Sequence, residues 1–184
     1  MANAALHKDN LVRTAMRLFR QQGYASSGLQ QILTESGAPK GSLYHYFPGG
    51  KEELGKAAVL LAGQLMGEML SDLAAKHEKL AAFVDAYCCV MARWMEESEF
   101  RSGCPIATTM LETAPHSPLL TEAGVQVLDH WISIIVPVFV RSGLSMHDAR
   151  LKSQLLIASM EGALLLARVR QQSDPIMAIA AAYQ

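Results

Sequence analysis

The chain has 184 residues, of which 51% are hydrophobic, and its formal net charge is −1. This length suits one or two domains with a substantial core. Strand-type alternation is nearly absent, and residues with high helix propensity dominate, so the sequence predicts an all-α fold of about nine helices.

The charge is unevenly distributed along the chain. Up to Lys51 there are six Lys/Arg and two acidic residues, whereas the remainder carries ten basic and fifteen acidic residues. A basic head of net charge +4 on a body of net charge −5 fits binding of a polyanion by the head alone.

The cysteines and the apolar segments exclude several classes of protein. Cys88, Cys89 and Cys104 form no CxxC pair and have no His at zinc-ligand spacing, so we expect neither a metal nor a cofactor. An odd cysteine count without a signal peptide suggests a cytoplasmic protein. The strongest candidate for a membrane span, residues 151–169, contains Lys152 and Glu161, so we expect no membrane segment.

The first predicted helix spans about residues 7–22, and Gly23 ends it. Its apolar stripe includes Leu11 and Phe19, and three arginines lie on the opposite face. That face is either an ordinary solvated surface or a positive field that attracts phosphates: Arg13, Arg17 and Arg20.

Two short helices follow, joined by a tight turn. Ser27 and Gln30 form the pattern of a capping box. Gly37 suits the left-handed position after the first of these helices, and Pro39 suits the first turn of the second. The second helix is predicted over 40–47.

This second helix has an unusual outward face. A helical wheel of 3.6 residues per turn places Leu43, Tyr46 and Phe47 on the face directed towards the core. Small and polar residues with little use in a core lie outside and suit a helix placed in the major groove of DNA: Gly41, Ser42 and His45 outward, with Lys40 and Tyr44 at the flanks.

The remaining sequence predicts six further helices. A fourth helix of about 25 residues starts at Lys51, and a fifth covers 79–97. A short helix starts at Cys104, the seventh runs to Arg141 with a kink at Pro137, and a Ser145/Asp148 capping box opens the eighth. Asp174-Pro175 opens the last.

The eighth helix is apolar nearly all round from Leu155 to Val169, so it must be covered on every side. Small residues recur every fourth position and would let a second subunit approach: Ser159, Ala163 and Ala167. The alternative is a central helix buried within one chain.

The body also supplies aromatic and Met side chains that could line an apolar ligand cavity. Ordinary core packing is the alternative for each one. Glu161 is an isolated acid that either reaches solvent, pairs with Arg or His, or meets a ligand. The candidate effector-binding residues are Tyr87, Met91, Trp94, Met110, His130, Trp131, Met160 and Glu161.

Signals of an enzyme are weak. The chain has no phosphate-binding Gly-rich loop after a strand, no HExxH and no nucleophile elbow. Cys104 with His116 or His130 could be imagined as a nucleophile, but a small residue buried or near a helix cap is the favoured interpretation. We therefore expect no catalytic residues.

The stretch from Lys40 to Phe47, followed by Lys51 and preceded by Gly23-Tyr24, resembles the TetR family of bacterial transcriptional regulators. The 103–108 run and the 47–51 turn are similar to its LmrA/YxaF-type branch. The family commonly has Ser or Thr where this chain has Pro39, which lacks both the hydroxyl and the N–H for a capping or phosphate contact.

The resemblance implies a helix-turn-helix DNA-binding domain over residues 1–50 and a ligand-binding and dimerisation domain over 51–184. It implies a homodimeric repressor that binds double-stranded operator DNA and releases it on binding a small-molecule effector. The implied DNA-contacting residues are Ser27, Lys40, Gly41, Ser42, Tyr44, His45 and Lys51. The competing class is an all-helical interaction or ligand-binding protein. Salt-dependent binding to a palindromic DNA duplex would distinguish a repressor from this class.

Overall fold

The computed structural model describes the backbone of residues 2–184 and the side chains of residues 6–184. This part of the chain is helical and contains no strand, so the all-α prediction and the predicted order of helices are confirmed. The helices are α1 (Ala2–Gln22), α2 (Leu29–Ser36), α3 (Lys40–Tyr46), α4 (Lys51–Lys76), α5 (Leu80–Glu97), α6 (Pro105–Thr113), α7 (Pro118–Arg141), α8 (Met146–Arg170) and α9 (Asp174–Ala181).

Two of the predicted helix ends have the expected chemistry. Gly37 follows α2 with φ 65° and ψ 13°, the left-handed conformation that glycine adopts without penalty. At the start of α8, the Ser145 hydroxyl accepts the Asp148 N–H at 3.1 Å and donates to the Asp148 carboxylate at 2.7 Å. The sequence therefore located these two ends correctly.

The capping box predicted at Ser27 is wrong. Gly28 occupies the cap position of α2 without a side-chain hydrogen bond. Ser27 is fully buried, and its hydroxyl donates to the Gly23 carbonyl at 2.6 Å. Pro39 also differs from expectation, because it stands at the cap of α3 rather than within its first turn.

The chain packs as two compact units. The first contains residues 1–64 and 105–127, and the second contains residues 65–104 and 128–184. Helices α4 and α7 each contribute their first part to the first unit and their second part to the second. The predicted domain boundary at residue 50 does not coincide with the division between these packed units, and it remains a prediction.

In the first unit, α1 packs against α2, α3 and α6. Its core is made of apolar side chains that are almost completely buried, each stabilising the fold by about 1.5–3 kcal/mol. They include Leu11, Phe19, Ile32, Leu43 and Leu54. Helix α3 is thus held on the unit by Leu43.

In the second unit, α5, α8 and α9 pack on one another. The buried residues include Phe83, Met95, Phe139, Leu156 and Ile176. The kinking residue predicted in α7, Pro137, lies inside that helix and is exposed.

Helices α4 and α7 are long and apolar enough to span a bilayer by length and composition. Core helices of soluble proteins commonly meet the same criteria, so this is weak evidence for a membrane span. The strongest apolar segments are thus α4 and α7, not the segment 151–169 that the sequence suggested.

Candidate nucleic-acid interface and effector site

Helix α3 presents a polar face to solvent and an apolar face to the core. Lys40, Gly41, Tyr44 and His45 are exposed, with Tyr44 60% exposed, whereas Leu43 is completely buried. The Tyr44 ring combines an apolar surface with a hydroxyl group, and both are accessible to a partner. The face has the residue types that contact DNA backbone and base edges.

The first turn of α3 leaves its backbone accessible. A Cβ added to Gly41 would meet no atom within 4 Å, so another surface can approach the main chain closely here. Ser42 is half-buried, and its hydroxyl donates to the Pro39 carbonyl at 2.6 Å. The hydroxyl oxygen therefore keeps acceptor capacity, while its proton is already used.

The two candidate phosphate partners outside α3 behave differently. The prediction for Ser27 is wrong, because this side chain is buried and its hydroxyl is bonded to Gly23. Lys51 donates from Nζ to the Ala25 carbonyl at 3.1 Å and lies 4.6 Å from the centre of the Tyr24 ring. Burial lowers the pKa of Lys51. An ammonium has three donors, so a phosphate contact by Lys51 stays a prediction.

Arg13 and Arg17, on the outer face of α1, are each paired with an acid. Arg13 Nε lies 2.7 Å from the Asp9 carboxylate, and Arg17 forms an ion pair with Glu35. The hydrogen bond from Arg17 lowers the pKa of Glu35. Such exposed pairs contribute little stability, but they reduce the positive field that was one of the two interpretations of this face.

A contact that the sequence analysis missed links α6 to the turn between α1 and α2. The Glu112 carboxylate accepts hydrogen bonds from the backbone N–H of Tyr24, at 3.2 Å, and of Ala25. No local pattern could have indicated it, because 88 residues separate Glu112 from Tyr24.

The candidate effector residues of the second unit differ in exposure. Tyr87, Met91, Trp131 and Met160 are buried, whereas Trp94 and Glu161 are half-buried. His130 is exposed, and its ring packs against Gly67 of α4. A Cβ added to Gly67 would lie only 2.7 Å from His130 Nε2.

Three polar groups of the second unit converge in apolar surroundings. The Cys104 thiol and the Glu161 carboxyl are joined by a hydrogen bond, and burial raises the pKa of Glu161. Burial, followed by the charges of Glu161 and Cys104, raises the pKa of Tyr87 well above its usual value. We call Tyr87, Cys104 and Glu161 the polar cluster. The partner of Glu161 here is the Cys104 thiol, which is none of the three outcomes that the sequence left open, and a ligand contact by Glu161 remains a prediction.

Met110 belongs to the first unit. It lies on α6, where its sulfur packs against Gly124, and a Cβ on Gly124 would lie 2.3 Å from that sulfur. Steric packing is the role that this contact supports, and an effector contact by Met110 remains a prediction.

The residues predicted for the dimer interface divide between two faces of α8. Ser159 is exposed, but Ala163 and Ala167 are 5% and 0% exposed. They pack inside their own chain, so the prediction that they contact a second subunit is wrong. The exposed face instead carries a stripe of apolar and small residues, which we call the α8 stripe: Leu151, Leu155, Ala158, Ser159, Gly162, Leu165, Leu166 and Val169.

Comparison with known proteins identifies the family. Residues 11–58 match the family model of bacterial regulatory proteins of the tetR family. Residues 80–182 match the C-terminal domain of LmrA/YxaF-like transcriptional regulators. The chain belongs to the TetR family.

Relatives cover nearly the whole of this TetR-family chain. It is 33% identical to the HTH-type transcriptional regulator LmrA of Bacillus subtilis, covering 94% of this chain and 92% of LmrA. It is 31% identical to YxaF of the same organism, covering 94% and 91%. Among solved structures, a TetR regulatory protein from Rhodobacter sphaeroides has a TM-score of 0.87 at 23% identity, covering 97% of each chain.

These matches establish a DNA-binding transcriptional regulator of the repressor type, and not an enzyme. Helices α2 and α3 lie within the matched DNA-binding segment, as the resemblance implied. Within residues 6–184, no group of three His, Cys, Asp or Glu side chains could hold a metal ion.

Proposed function

We propose that this TetR-family regulator is a homodimeric repressor that binds an inverted-repeat operator and is released by a small apolar, aromatic effector. The observation that best supports this is the exposed polar face of α3. Lys40, Gly41, Tyr44 and His45 project from a helix that Leu43 fixes to the core. DNA in a bacterial cell is cytoplasmic, and we propose the same location for the protein.

Base contacts come from the outward face of α3, and phosphate contacts come from its flanks. Lys40 and Lys51 carry positive charge beside that face, and each phosphate they neutralise releases counterions. Ser42 offers a hydroxyl oxygen, and Gly41 lets the backbone approach a groove wall. Ser27 has no part in this contact set.

Dimerisation is assigned to the α8 stripe. Leu155, Leu165 and Val169 are 56%, 63% and 74% exposed, which is unusual for large apolar side chains grouped on one helix face. Ala158, Ser159 and Gly162 lie between them and would let another helix approach closely. A twofold axis through this face places two identical heads on DNA, which is why the operator is an inverted repeat.

The effector is assigned to the second unit, near the polar cluster. Trp94, Met91 and Met160 supply apolar and aromatic surface, and Tyr87 and Glu161 supply polar atoms. The ligand must prefer a shape of the dimer in which the heads bind DNA poorly. A tenfold loss of operator affinity requires about 1.4 kcal/mol of coupling, and operator DNA must weaken ligand binding by the same factor.

The test begins with the purified protein and fragmented genomic DNA from its source organism. Fragments retained at low salt and released at high salt are footprinted. We expect a protected inverted repeat with half-site centres about one helical turn, or a multiple, apart. Failure to select any fragment from genomic DNA, or protection without an inverted repeat, would contradict the proposal.

The ligand response is tested with a library of small aromatic compounds. Trp94 and Trp131 fluorescence reports binding, and each compound that binds is titrated with and without the selected duplex. We expect at least one compound with the same coupling factor in both directions. Compounds that bind equally well to both forms would contradict the assignment of ligand release.

A further inference from the structure

Helix α6 contacts the end of α1 with two side chains that lie one turn apart. The Thr108 hydroxyl lies 3.1 Å from the Phe19 carbonyl, and the Glu112 carboxylate accepts the N–H groups of Tyr24 and Ala25. The Phe19 carbonyl also accepts the Gly23 N–H at 3.1 Å, so Thr108 is a second donor to it. The two N–H groups of the turn, by contrast, are bonded by the Glu112 carboxylate.

The approach of Glu112 depends on Gly23. This glycine has φ +87°, and a Cβ placed on it would lie 2.2 Å from Glu112 Oε1. Any other residue would be strained and would displace the carboxylate. The position thus permits a close contact between a carboxylate and the main chain.

The same turn is joined to the start of α4. Lys51, the first residue of α4, donates to the Ala25 carbonyl at 3.1 Å and covers the Tyr24 ring. Burial lowers the pKa of Lys51, and the nearby charge of Glu112 offsets part of this effect. Glu112 therefore holds the segment that precedes α2 and, through Lys51, the first residue of α4.

We propose that Glu112 is a positioning residue for DNA binding. By holding the turn at residues 23–25, it fixes the start of α2 and the start of α4, so that α3 and Lys51 are presented together. The inference rests on the proposed function in one respect, namely that operator binding is the output.

Two variants separate the two hydrogen bonds. Glu112→Gln keeps one acceptor oxygen and loses the charge, whereas Glu112→Ala loses both acceptors. Glu122→Gln is the matched control, because Glu122 is an exposed glutamate of α7 in the same unit. Amide hydrogen exchange at each backbone N–H is measured by NMR on the full-length protein. Operator affinity is measured with the duplex that the native protein selects.

In Glu112→Ala, we expect the amide hydrogens of Tyr24 and Ala25 to exchange at least tenfold faster than in the native protein. In Glu112→Gln, we expect this at only one of the two amides. Operator affinity should fall in the same order, by about tenfold for Glu112→Ala, which is about 1.4 kcal/mol. The control should match the native protein in both measurements. This graded loss, confined to two amides, is not what general destabilisation of the unit would produce.

Three results would overturn the inference. They are native operator affinity in Glu112→Ala, unchanged exchange at both amides, or faster exchange spread evenly over residues 11–58. If the native protein selects no duplex, the proposed function fails, while the exchange data still decide whether Glu112 holds the turn.

Discussion

The α8 stripe allows a direct test of the dimer. We consider Leu155→Ser, which replaces a leucine that is 56% exposed at the middle of the stripe. The exposed part of such a leucine is on the order of 90 Å², so its burial contributes about 2 kcal/mol at about 25 cal/mol per Å². A twofold interface contains the residue twice, so the substitution should cost about 4 kcal/mol per dimer and raise the dissociation constant about a thousandfold.

The measurement is sedimentation equilibrium over a concentration series, with circular dichroism to verify that the monomer stays folded. Because Leu155 is largely exposed within one chain, the fold itself should be little affected. Leu111→Ser is the control, since Leu111 is an exposed leucine of α6 outside the stripe, with 86% of its surface accessible. A dissociation constant that changes no more in Leu155→Ser than in the control would refute the interface assignment.

Three further predictions concern the head and the polar cluster. Gly41→Leu should abolish specific operator binding in a mobility-shift assay, because the larger side chain blocks close approach of DNA to α3. Operator affinity equal to that of the native protein would contradict the placement of α3 in the major groove. Lys40→Ala should make the salt dependence of operator binding shallower by about one unit, and an unchanged slope would contradict a phosphate contact. Burial raises the pKa of Glu161 above 4.5, so its contribution to stability is full below that pH and is lost as pH rises through the raised value. Glu161→Gln should therefore gain stability relative to the native protein as pH rises above 4.5 in denaturant titrations, whereas a difference that does not change with pH would contradict it.

The helical architecture could be predicted because its signals are local. Gly37 ends α2 through a conformation that glycine adopts most easily, and Ser145 with Asp148 starts α8 through a hydrogen bond between near neighbours. The outward face of α3 follows from a period of 3.6 residues once Leu43 is placed inside.

The errors come from signals that are ambiguous in phase or that depend on distant residues. Ser27 and Gln30 have the spacing of a capping box, yet the cap is Gly28 and Ser27 turns inward. Helix α8 is apolar nearly all round, so its periodicity does not show which side is internal. The small residues Ala163 and Ala167 could pack against a helix of the same chain or of a second subunit, and both are buried within their own chain. No sequence pattern could join Glu112 to Tyr24.

The division of the first unit into two chain segments has a consequence for synthesis. Residues 105–127 complete the packing around α1, yet the whole of α5 is translated between them and the helix-turn-helix. The first unit, which contains α2 and α3, therefore cannot complete its packing until residues 105–127 have been made, unlike an N-terminal domain that is contiguous in sequence. A nascent chain that stalls before α6 would lack the contacts that Thr108 and Glu112 make with the end of α1 and with the turn at residues 23–25. We therefore expect such a chain to bind operator DNA more weakly than the complete protein.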